Sequence, residues 1–308
     1  MTRCPNGAFC ITMKRILITG ASGFLGWNLA SSLKGAYELR GTFAHNPVEI
    51  PGCPMERLDL AGGDDVEVVV TRFRPDAVVH AAALIDVDLC EREPEMARRV
   101  NGEATKRIAA AAADAGARVV YLSSDMVFDG REGMYTEGDE PCPMSVYGQT
   151  KLEGERWTLG LHPSGVVARL SLMYGTGAGA HGSFLGWMRS RLGKGEPVDL
   201  FTDQYRTPLY VRDVCRAVGR MIESPGLSGI YHLAGPERMN RYEFGRKVAA
   251  VFGYPERLLR PVRMEEMRNL MPRPKDNSLD NRKAARELGV CFTGVVEGLK
   301  AVAGEAGV

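Results

Sequence analysis

A short apolar run near the start of the chain ends in closely spaced glycines and continues with leucines at helical spacing. Residues 15–26 read Arg-Ile-Leu-Ile-Thr-Gly-Ala-Ser-Gly-Phe-Leu-Gly, and the helical pattern extends to Leu33. A strand, a tight glycine turn and a helix in this order are typical of a dinucleotide-binding βα unit. Gly20 permits the turn, Gly23 lets the backbone approach a pyrophosphate, and Gly26 lets the helix pack closely on the strand. The free N–H groups that begin the helix then face the phosphates.

Apolar runs of strand character alternate with segments of helical periodicity along most of the remaining chain. The predicted strands cover residues 37–43, 58–60, 77–80, 119–122, 166–170 and 229–233. The predicted helices cover residues 64–73, 94–115, 184–192, 210–221 and 241–252. Parallel strands joined by helical crossovers form a sheet with helices on both faces. The predicted fold class is therefore α/β, a Rossmann-type doubly wound parallel sheet with a smaller C-terminal substrate-binding lobe.

The order of these elements predicts a division into two domains. Residues 13–170 form the predicted NAD(P)-binding Rossmann domain, to which residues 206–233 return, and residues 171–205 and 234–308 form the smaller lobe. Residues 1–12 have no apolar core of a signal peptide, and we expect them to be a disordered extension outside the fold. The glycine-rich residues 171–183 suit either a lid over the substrate or a plain connection.

Charge and cysteine content exclude several classes of partner. The formal charge is +1 over 308 residues, so the surface would hold neither nucleic acid nor an acidic membrane. The apolar segments are too short to cross a bilayer, so we expect no membrane partner. The seven cysteines are scattered without a C-x-x-C pair. This pattern indicates reduced thiols in the cytoplasm and neither a disulfide framework nor a metal site.

The end of the second strand bears on the choice between NAD and NADP. Proteins selective for NAD usually place an acidic residue there to bind the ribose 2′-hydroxyl, whereas residues 42–46 read Thr-Phe-Ala-His-Asn. Because no carboxylate repels a 2′-phosphate, we expect NADP (NADPH), with NAD as the alternative. His45 is a candidate contact for that phosphate. Asp59 suits either the adenine amine or the cap of the next helix.

The candidate cofactor contacts lie at the ends of the first four predicted strands. They are Gly20, Ser22, Gly23, Phe24, Leu25, Gly26, His45, Asp59, Leu60, Ala81, Ala82 and Ala83. The three alanines follow the strand at 77–80, where small side chains allow a nicotinamide ribose to lie across the strand end. We interpret His80 as a packed wall residue, since neither a second histidine nor an acidic cluster accompanies it.

Hydroxyl groups and a Tyr–Lys pair follow the predicted strand at 119–122. Ser123 and Ser124 come at its carboxyl end, and Tyr147 and Lys151 lie four residues apart, on one face of the next helix. A phenol has a pKa of about 10, and a neighbouring ammonium lowers that pKa. We expect Tyr147 to transfer a proton and Lys151 to tune it and to hold the nicotinamide ribose, so that both residues are also candidate cofactor contacts. Ser124 would orient the substrate carbonyl as charge develops on its oxygen.

With these motifs the sequence resembles the extended short-chain dehydrogenase/reductase family, and within it the dTDP-4-dehydrorhamnose reductase branch. The family motifs are residues 19–26 (TGASGFLG), 80–83 (HAAA), 100–101 (VN), 123–125 (SSD) and 147–151 (YGQTK). The branch motifs are residues 123–130 (SSDMVFDG), 146–155 (VYGQTKLEGE), 203–208 (DQYRTP) and 273–280 (RPKDNSLD). The likeness covers about residues 14–300.

The resemblance implies roles for particular residues. Ser124, Tyr147 and Lys151 would be catalytic, and Asn101 would support the proton path. The implied contacts of a small-molecule nucleotide-sugar substrate are Ser124, Tyr174, Gln204, Thr207 and Arg273. Met126 stands where the branch commonly has a tyrosine, so one contact near the site differs. Arg169 suits either a ligand contact or a structural ion pair.

The expected function is NADPH-dependent reduction of the 4-keto group of a nucleotide-activated 6-deoxy sugar, as in dTDP-rhamnose biosynthesis. We expect a cytoplasmic protein that could form a homodimer. The same motifs occur in the regulatory beta subunit of methionine adenosyltransferase, which binds NADP. One alternative is therefore an NADP-binding regulatory subunit without turnover, and another is a different nucleotide-sugar dehydrogenase or epimerase. The Tyr–Lys pair does not separate these alternatives, whereas the motif at 203–208 favours an enzyme.

Overall fold

The computed structural model describes residues 13–177, 183–267, 271 and 273–305, together with the backbone of two short N-terminal strands. These strands, β1 (Thr2–Arg3) and β2 (Phe9–Cys10), pair antiparallel. The other positions among residues 1–12 lie outside the described residues, as do residues 178–182 of the glycine-rich stretch for which a lid or a connection was predicted.

The centre of the fold is a seven-stranded sheet in which every neighbouring pair of strands is parallel. In chain order its strands are β3 (Arg15–Thr19), β4 (Glu38–Phe43), β5 (Met55–Arg57), β6 (Ala77–His80), β7 (Arg118–Ser124), β8 (Val166–Leu170) and β13 (Gly229–Leu233). In space they run β13-β8-β7-β6-β3-β4-β5. The direction of the winding reverses between β3 and β6. Open α/β sheets bind ligands at the carboxyl ends of the strands beside such a switch point.

Helices pack on the sheet and complete the lobe. They are α1 (Phe24–Leu33), α2 (Val66–Phe73), α3 (Val87–Arg92), α4 (Pro94–Ala97), α5 (Ala104–Asp114), α6 (Val146–Leu161), α7 (Phe184–Gly193), α8 (Val211–Glu223), α9 (Arg241–Phe252), α10 (Arg282–Leu288) and α11 (Val295–Glu305). Short 3₁₀ turns occupy Asp125–Val127, Glu256–Leu258 and Met264–Glu266. A π-helical segment, Arg98–Glu103, joins α4 to α5 within the helix predicted over 94–115.

Strand β3 shows how the sheet forms two hydrophobic layers. Ile16 and Ile18 join the larger core with residues of α1 and α8, whereas Leu17 joins a second core that includes Val78 and Ile108. All five side chains are fully buried. Because successive side chains of a strand point to opposite faces, a continuous apolar run is what a sheet covered on both faces requires.

Short strand pairs build the lobe beside the sheet. Strand β9 (Met173–Tyr174) pairs in parallel with β12 (Leu209–Tyr210), and β10 (Val198–Phe201) pairs in parallel with β15 (Leu259–Val262). Strand β11 (Tyr205–Arg206) pairs antiparallel with β14 (Met239–Asn240), which directly precedes α9. These pairs bring residues 203–208 and the start of α9 together.

The predicted α/β class is confirmed, and the differences concern individual elements. The strand predicted over 58–60 was wrong: the strand lies at Met55–Arg57, and Leu58 and Leu60 are buried loop residues. Helix α11 was not predicted, although Val295, Leu299 and Val302 repeat at the spacing of one helix face and are fully buried.

Candidate active site

The glycine turn after β3 has no room for side chains at two of its three glycines. Gly20 has a φ of +68°, and a Cβ there would lie 2.6 Å from the Cα of Ala82. A Cβ on Gly26 would lie 2.2 Å from the carbonyl oxygen of Gly20. At Gly23 the nearest atom would be 3.4 Å away, again the oxygen of Gly20. Packing within the protein therefore requires glycine at positions 20 and 26. At position 23 it leaves room for a Cβ, so the glycine there suits the close approach of a ligand.

The N-terminus of α1 is open to a ligand. Gly23 is its N-cap residue and supplies no side-chain hydrogen bond, so the first N–H groups, among them those of Phe24 and Leu25, have no capping side chain. Ser145 caps α6 and Asn240 caps α9, whereas α8 and α10 also begin without a side-chain cap, so the glycine turn is what distinguishes α1. An uncapped helix start beside a glycine turn suits the diphosphate of a dinucleotide. The residues present therefore fit the cofactor that the sequence predicts.

A hydrogen-bond chain fixes the wall opposite this turn. His80 is buried at the end of β6, with its Nδ1 2.7 Å from Thr19 Oγ1 and its Nε2 3.0 Å from Thr105 Oγ1. Thr105 donates to the carbonyl oxygen of Asn101, so it accepts from Nε2–H, and Thr19 donates to Nδ1. Burial lowers the pKa of His80 to about 3, which keeps the ring neutral. His80 is a packed wall residue, as its sequence context indicated.

Asn101 links the wall opposite the glycine turn to helix α6. It lies in the π-helical segment, is almost fully buried, and accepts from the N–H of Leu84 at 2.8 Å. Its Nδ2 donates to the carbonyl oxygen of Leu84 and to Thr150 Oγ1, each at 3.1 Å. The side chain thereby ties the segment after Ala81, Ala82 and Ala83 to α6, on which Tyr147 and Lys151 lie. Whether Asn101 also supports a proton path remains a prediction.

The remaining predicted cofactor residues lie at the ends of β4 and β5. His45 is exposed just beyond β4. Asp59 accepts from the N–H groups of Ala61 and Gly62 at 3.1 Å each, and Asp65 caps the next helix instead. The capping role considered for Asp59 thus belongs to Asp65. Leu60, Ser22 and the three alanines line the same edge of the sheet.

Ser124 ends β7 and begins a 3₁₀ turn beside Tyr147. Its hydroxyl donates to Asp125 Oδ1 at 3.1 Å and accepts from the N–H of Met126 at 3.1 Å. The pKa of Tyr147 is raised above its ordinary value, by burial first, while the Ser124 hydroxyl opposes that change and the charge of Asp125 adds to it. Tyr147 is therefore a neutral phenol that holds its proton at ordinary pH.

Lys151 is buried on the same face of α6 as Tyr147. Its ammonium donates to the carbonyl oxygen of Leu122 at 2.8 Å and lies 4.2 Å from the centre of the Tyr121 ring. Burial lowers the pKa of Lys151 to about 7, and the charge of Glu155 opposes this shift. The tuning of Tyr147 by Lys151 remains a prediction, because the ammonium is directed at the end of β7.

A buried ion pair supports the loop that carries Ser124. Asp125 Oδ2 lies 3.2 Å from Arg206 Nε, and the side chains of Arg206 and Asp125 are 4% and 8% exposed. Arg206 Nη2 also lies 3.8 Å from the sulfur of Met126, the residue that replaces the branch tyrosine. Asn277, within the motif at 273–280, donates to the carbonyl oxygens of Asp125 and Phe128. The C-terminal motif therefore holds the loop that follows Ser124.

Comparison with known proteins gives the family. The family model described as the RmlD substrate binding domain matches residues 13–306. The chain belongs to the RmlD family. A solved dTDP-4-dehydrorhamnose reductase from Bacillus anthracis, in complex with NADP, is similar over 96% of this chain and 100% of its own, with a TM-score of 0.82 and 26% identity.

Two curated relatives of this RmlD-family chain have different descriptions. A probable low-salt glycan biosynthesis reductase, Agl14 of Haloferax volcanii, is 33% identical over 88% of this chain and 91% of its own length. The methionine adenosyltransferase 2 subunit beta of Xenopus laevis is also 33% identical, over 89% of this chain and 82% of its own length. The chain is therefore similar both to a protein described as a reductase and to a methionine adenosyltransferase beta subunit, the two kinds of protein that its motifs resemble.

The predicted substrate residues of this RmlD-family member fall into two groups. Arg273 is partly exposed and pairs with Asp88 at 2.9 Å, and Ser124 lies beside Tyr147. Gln204 is 4% exposed and accepts from Arg241 Nε at 2.9 Å. Thr207 donates to Ser171 Oγ at 3.2 Å and accepts from the N–H of Leu279. Tyr174 lies within the core between Tyr210 and Phe244. The side chains of Gln204, Thr207 and Tyr174 are buried in the wall behind the site. Contact between any of them and the substrate remains a prediction.

The structure also decides the role of Arg169. Its guanidinium pairs with Glu155 at 2.7 Å, and both side chains are 2% exposed. Glu155 additionally accepts from Ser123 Oγ. Arg169 therefore forms a structural ion pair with Glu155, one of the two roles that the sequence left open.

Sequence reasoning missed Arg206, Arg241 and Asn277. Arg206 and Asn277 lie inside motifs that were noticed as wholes, so a search for charge partners of Asp125 could have singled out Arg206. Arg241 had one signal: a cation at the first position of a helix conflicts with the helix dipole.

In the part of the chain that the structure describes, no helix is long and apolar enough to cross a bilayer.

Proposed function

We propose that the chain is an NADPH-dependent reductase that acts on the 4-keto group of a nucleotide-activated 6-deoxy sugar. The observation that carries the proposal is the meeting of Ser124, Tyr147 and Lys151 at the sheet edge that also holds the uncapped start of α1. A site with those three groups and a dinucleotide turn suits reduction of a carbonyl. The reductase descriptions of Agl14 and of the Bacillus anthracis relative support the same reaction class.

Each residue of the site has a defined task in this proposal. When bound, NADPH supplies the hydride. Tyr147 protonates the carbonyl oxygen, and its raised pKa keeps the phenol in its protonated form at neutral pH before the transfer. Ser124 donates a hydrogen bond to the same oxygen, for which its hydroxyl must turn from Asp125. Lys151 holds the ribose hydroxyls and favours the phenolate that forms once Tyr147 has given up its proton.

The test is the oxidation of NADPH, followed by nicotinamide absorbance, against a panel of nucleotide 4-keto sugars that includes dTDP-4-dehydrorhamnose. The expected result is consumption that depends on the sugar and yields a 4-hydroxy product. Incubation of 4-hydroxy nucleotide sugars with NADP⁺ or NAD⁺ tests the dehydrogenase and epimerase alternatives in parallel. A protein active only in the second assay, or in neither, contradicts the proposal.

The second candidate is a regulatory subunit that binds NADP without turnover. The observation that favours it is the likeness to methionine adenosyltransferase 2 subunit beta over most of both chains. Such a protein would bind NADPH tightly, leave every sugar unreduced and elute with a methionine adenosyltransferase catalytic subunit in size-exclusion chromatography. The reductase would consume NADPH and elute alone, as a monomer or as the predicted homodimer.

A further inference from the structure

Lys151 is a buried cation that has no carboxylate partner of its own. The residue is 2% exposed, its Nζ donates to the carbonyl oxygen of Leu122 at 2.8 Å, and it lies over the ring of Tyr121. Among the described residues, no aspartate or glutamate forms an ion pair with Lys151, and the other positions of the chain contain neither residue type. A neutral carbonyl and a ring face offset only part of the cost of burying a charge. The charged form of Lys151 is therefore favoured only if a negative charge lies nearby.

Glu155 brings a negative charge to the same face of α6. Lys151 and Glu155 are four residues apart on this helix, and Glu155 is also 2% exposed. The Ser123 hydroxyl donates to Glu155 Oε1 at 2.5 Å, and Ser123 directly follows Leu122, the acceptor of the Lys151 ammonium. Lys151 and Glu155 therefore hold two consecutive residues of β7, at the strand end that carries Ser124.

The other titratable groups that face Lys151 are uncharged at neutral pH. They are Tyr147 on α6, Tyr121 on β7 and His80 on β6. Burial raises the pKa of both tyrosines and lowers the pKa of His80 to about 3. Burial also lowers the pKa of Lys151 to about 7, and the charge of Glu155 opposes that shift. Among these groups, only Glu155 carries the charge that helps Lys151 to keep its proton.

Arg169 of β8 keeps the Glu155 carboxylate charged. Its Nε donates to Oε1 at 3.0 Å, and its Nη2 donates to Oε2 at 2.7 Å. His232 lies 3.4 Å from Arg169 Nη1, and its pKa is lowered to about 3, so that ring is neutral. A buried carboxylate that is paired in this way remains ionised. Removal of the carboxylate and removal of the guanidinium should therefore change the charge state of Lys151 in opposite directions.

We propose that Glu155 is a positioning residue of the candidate active site, whose buried negative charge stabilises the ammonium of Lys151 from one helix turn away. The inference rests on the proposed function for the task of Lys151, but it concerns a different residue. In that mechanism a charged Lys151 favours the phenolate that forms when Tyr147 gives up its proton. Glu155 acts on that step through Lys151.

The experiment titrates Lys151 itself by NMR in the full chain without added nucleotide, with ¹³C at the Cε atoms of the lysines. The signal of Lys151 is identified by its absence from Lys151→Met. Glu155→Gln removes the charge with little change of shape, and it should lower the titration midpoint of Lys151 by about one pH unit or more, tenfold in the dissociation constant of the proton. Glu155→Asp keeps the charge and should restore most of the wild-type midpoint.

The matched control is Glu153→Gln on the same helix. Glu153 accepts from Trp157 Nε1 at 3.3 Å, and its position two residues from Lys151 places it on another face of α6. The same loss of one negative charge should there leave the titration midpoint of Lys151 unchanged. A midpoint that falls as far in Glu153→Gln as in Glu155→Gln would overturn the inference.

A second pair of variants separates the charge of Glu155 from its part in folding. Glu155→Gln leaves Arg169 buried and unpaired, which is destabilising in itself. Arg169→Met leaves Glu155 unbalanced and should raise the titration midpoint of Lys151 above that of the wild type. Addition of Glu155→Gln to Arg169→Met should lower it again by about one pH unit. If Glu155 were merely structural, thermal stability would change but Lys151 would titrate alike in these two proteins, which would overturn the inference.

The outcomes also distinguish this inference from the proposed function. A lower midpoint of Lys151 in Glu155→Gln, with no NADPH consumption by the wild type on any sugar, supports the inference and contradicts the reductase. Turnover by the wild type, with the same midpoint in both proteins, supports the reductase and contradicts the inference. Where both are supported, the pH at which turnover declines in alkaline solution should move down in Glu155→Gln with the midpoint of Lys151. An unmoved decline would contradict the action of Glu155 on the reaction.

Discussion

Asp125 and Arg206 form a buried ion pair, 3.2 Å between Oδ2 and Nε, directly behind the serine of the candidate active site. The other carboxylate oxygen of Asp125 accepts the Ser124 hydroxyl. Burial raises the pKa of Asp125, and the charge of Arg206 opposes that shift. The charged state of this carboxylate therefore depends on Arg206 of β11, and the orientation of Ser124 depends on the carboxylate.

We predict that Arg206→Met destabilises the protein by about 3 kcal/mol, because it leaves the Asp125 charge buried and unpaired. Urea unfolding at neutral pH measures the loss. The defect should shrink as pH is lowered, since an acid whose folded pKa is raised binds its proton in the native state first. The double variant Asp125→Asn with Arg206→Met should recover part of the stability. If Arg206→Met were as stable as the wild type, Asp125 and Arg206 would not form a charged pair.

Gly23 and Gly26 should respond differently to an added side chain. Gly26→Ala would press a Cβ against the oxygen of Gly20, at a built distance of 2.2 Å, so the fold should be damaged and the thermal midpoint should fall. Gly23→Val has more room, 3.4 Å to the same oxygen, and should keep a nearly native circular dichroism spectrum while NADPH binding is abolished. Normal NADPH binding by Gly23→Val would mean that α1 does not receive the diphosphate.

Tyr147→Phe tests the proton donor. The ring packing is kept and the donor is removed, so turnover should fall by about 10²- to 10⁴-fold, as expected for a lost general acid, with little change in NADPH affinity. Lys151→Met should lower both turnover and cofactor affinity, and Ser124→Ala should lower turnover alone. The matched control is Tyr37→Phe, whose hydroxyl donates to Glu223 on another part of the surface. Equal turnover by wild type and Tyr147→Phe would refute the mechanism.

Cofactor choice follows from the absence of an acid at residues 42–46. We predict that NADPH binds at least as tightly as NADH, because nothing at the end of β4 repels the 2′-phosphate. Titrations of both, followed by nicotinamide fluorescence, compare the dissociation constants. A preference for NADH of tenfold, about 1.4 kcal/mol, would contradict the argument from this strand end.

Two buried histidines should make the protein sensitive to mild acid. Burial lowers the pKa of His80 and of His232 to about 3, whereas in the unfolded chain a histidine titrates near about 6.5. Their contribution is present above the unfolded pKa and is lost as pH falls toward the folded value, at up to about 1.4 kcal/mol per pH unit for each ring. Urea midpoints between about pH 7 and pH 5 measure this slope. The dependence of stability on pH should be weaker in His80→Gln and weaker still in the double variant with His232→Gln. An unchanged dependence would show that these two histidines do not cause it.

The sequence alone determined the features that depend on neighbours along the chain. A strand, a glycine turn and a helix are local, so the positive φ at Gly20 and the close contact at Gly26 could be expected from spacing. The i and i+4 positions of Tyr147 and Lys151 share a helix face wherever that helix packs. Continuous apolar runs also predicted the parallel sheet, because a strand covered on both faces must be apolar throughout.

Only the tertiary structure decided which polar groups become partners. Periodicity reports which face of an element is buried, but it does not report what a buried charge meets. Arg169 and Arg206 are both arginines near apolar strands, yet Arg169 pairs with Glu155 and Arg206 pairs with Asp125, next to Ser124. Arg241 donates to Gln204 Oε1 because the pairing of β11 with β14 brings the start of α9 beside that residue. The distances between these polar groups are set by the packing of elements that are far apart in sequence. A single sequence does not show which of those elements pack together.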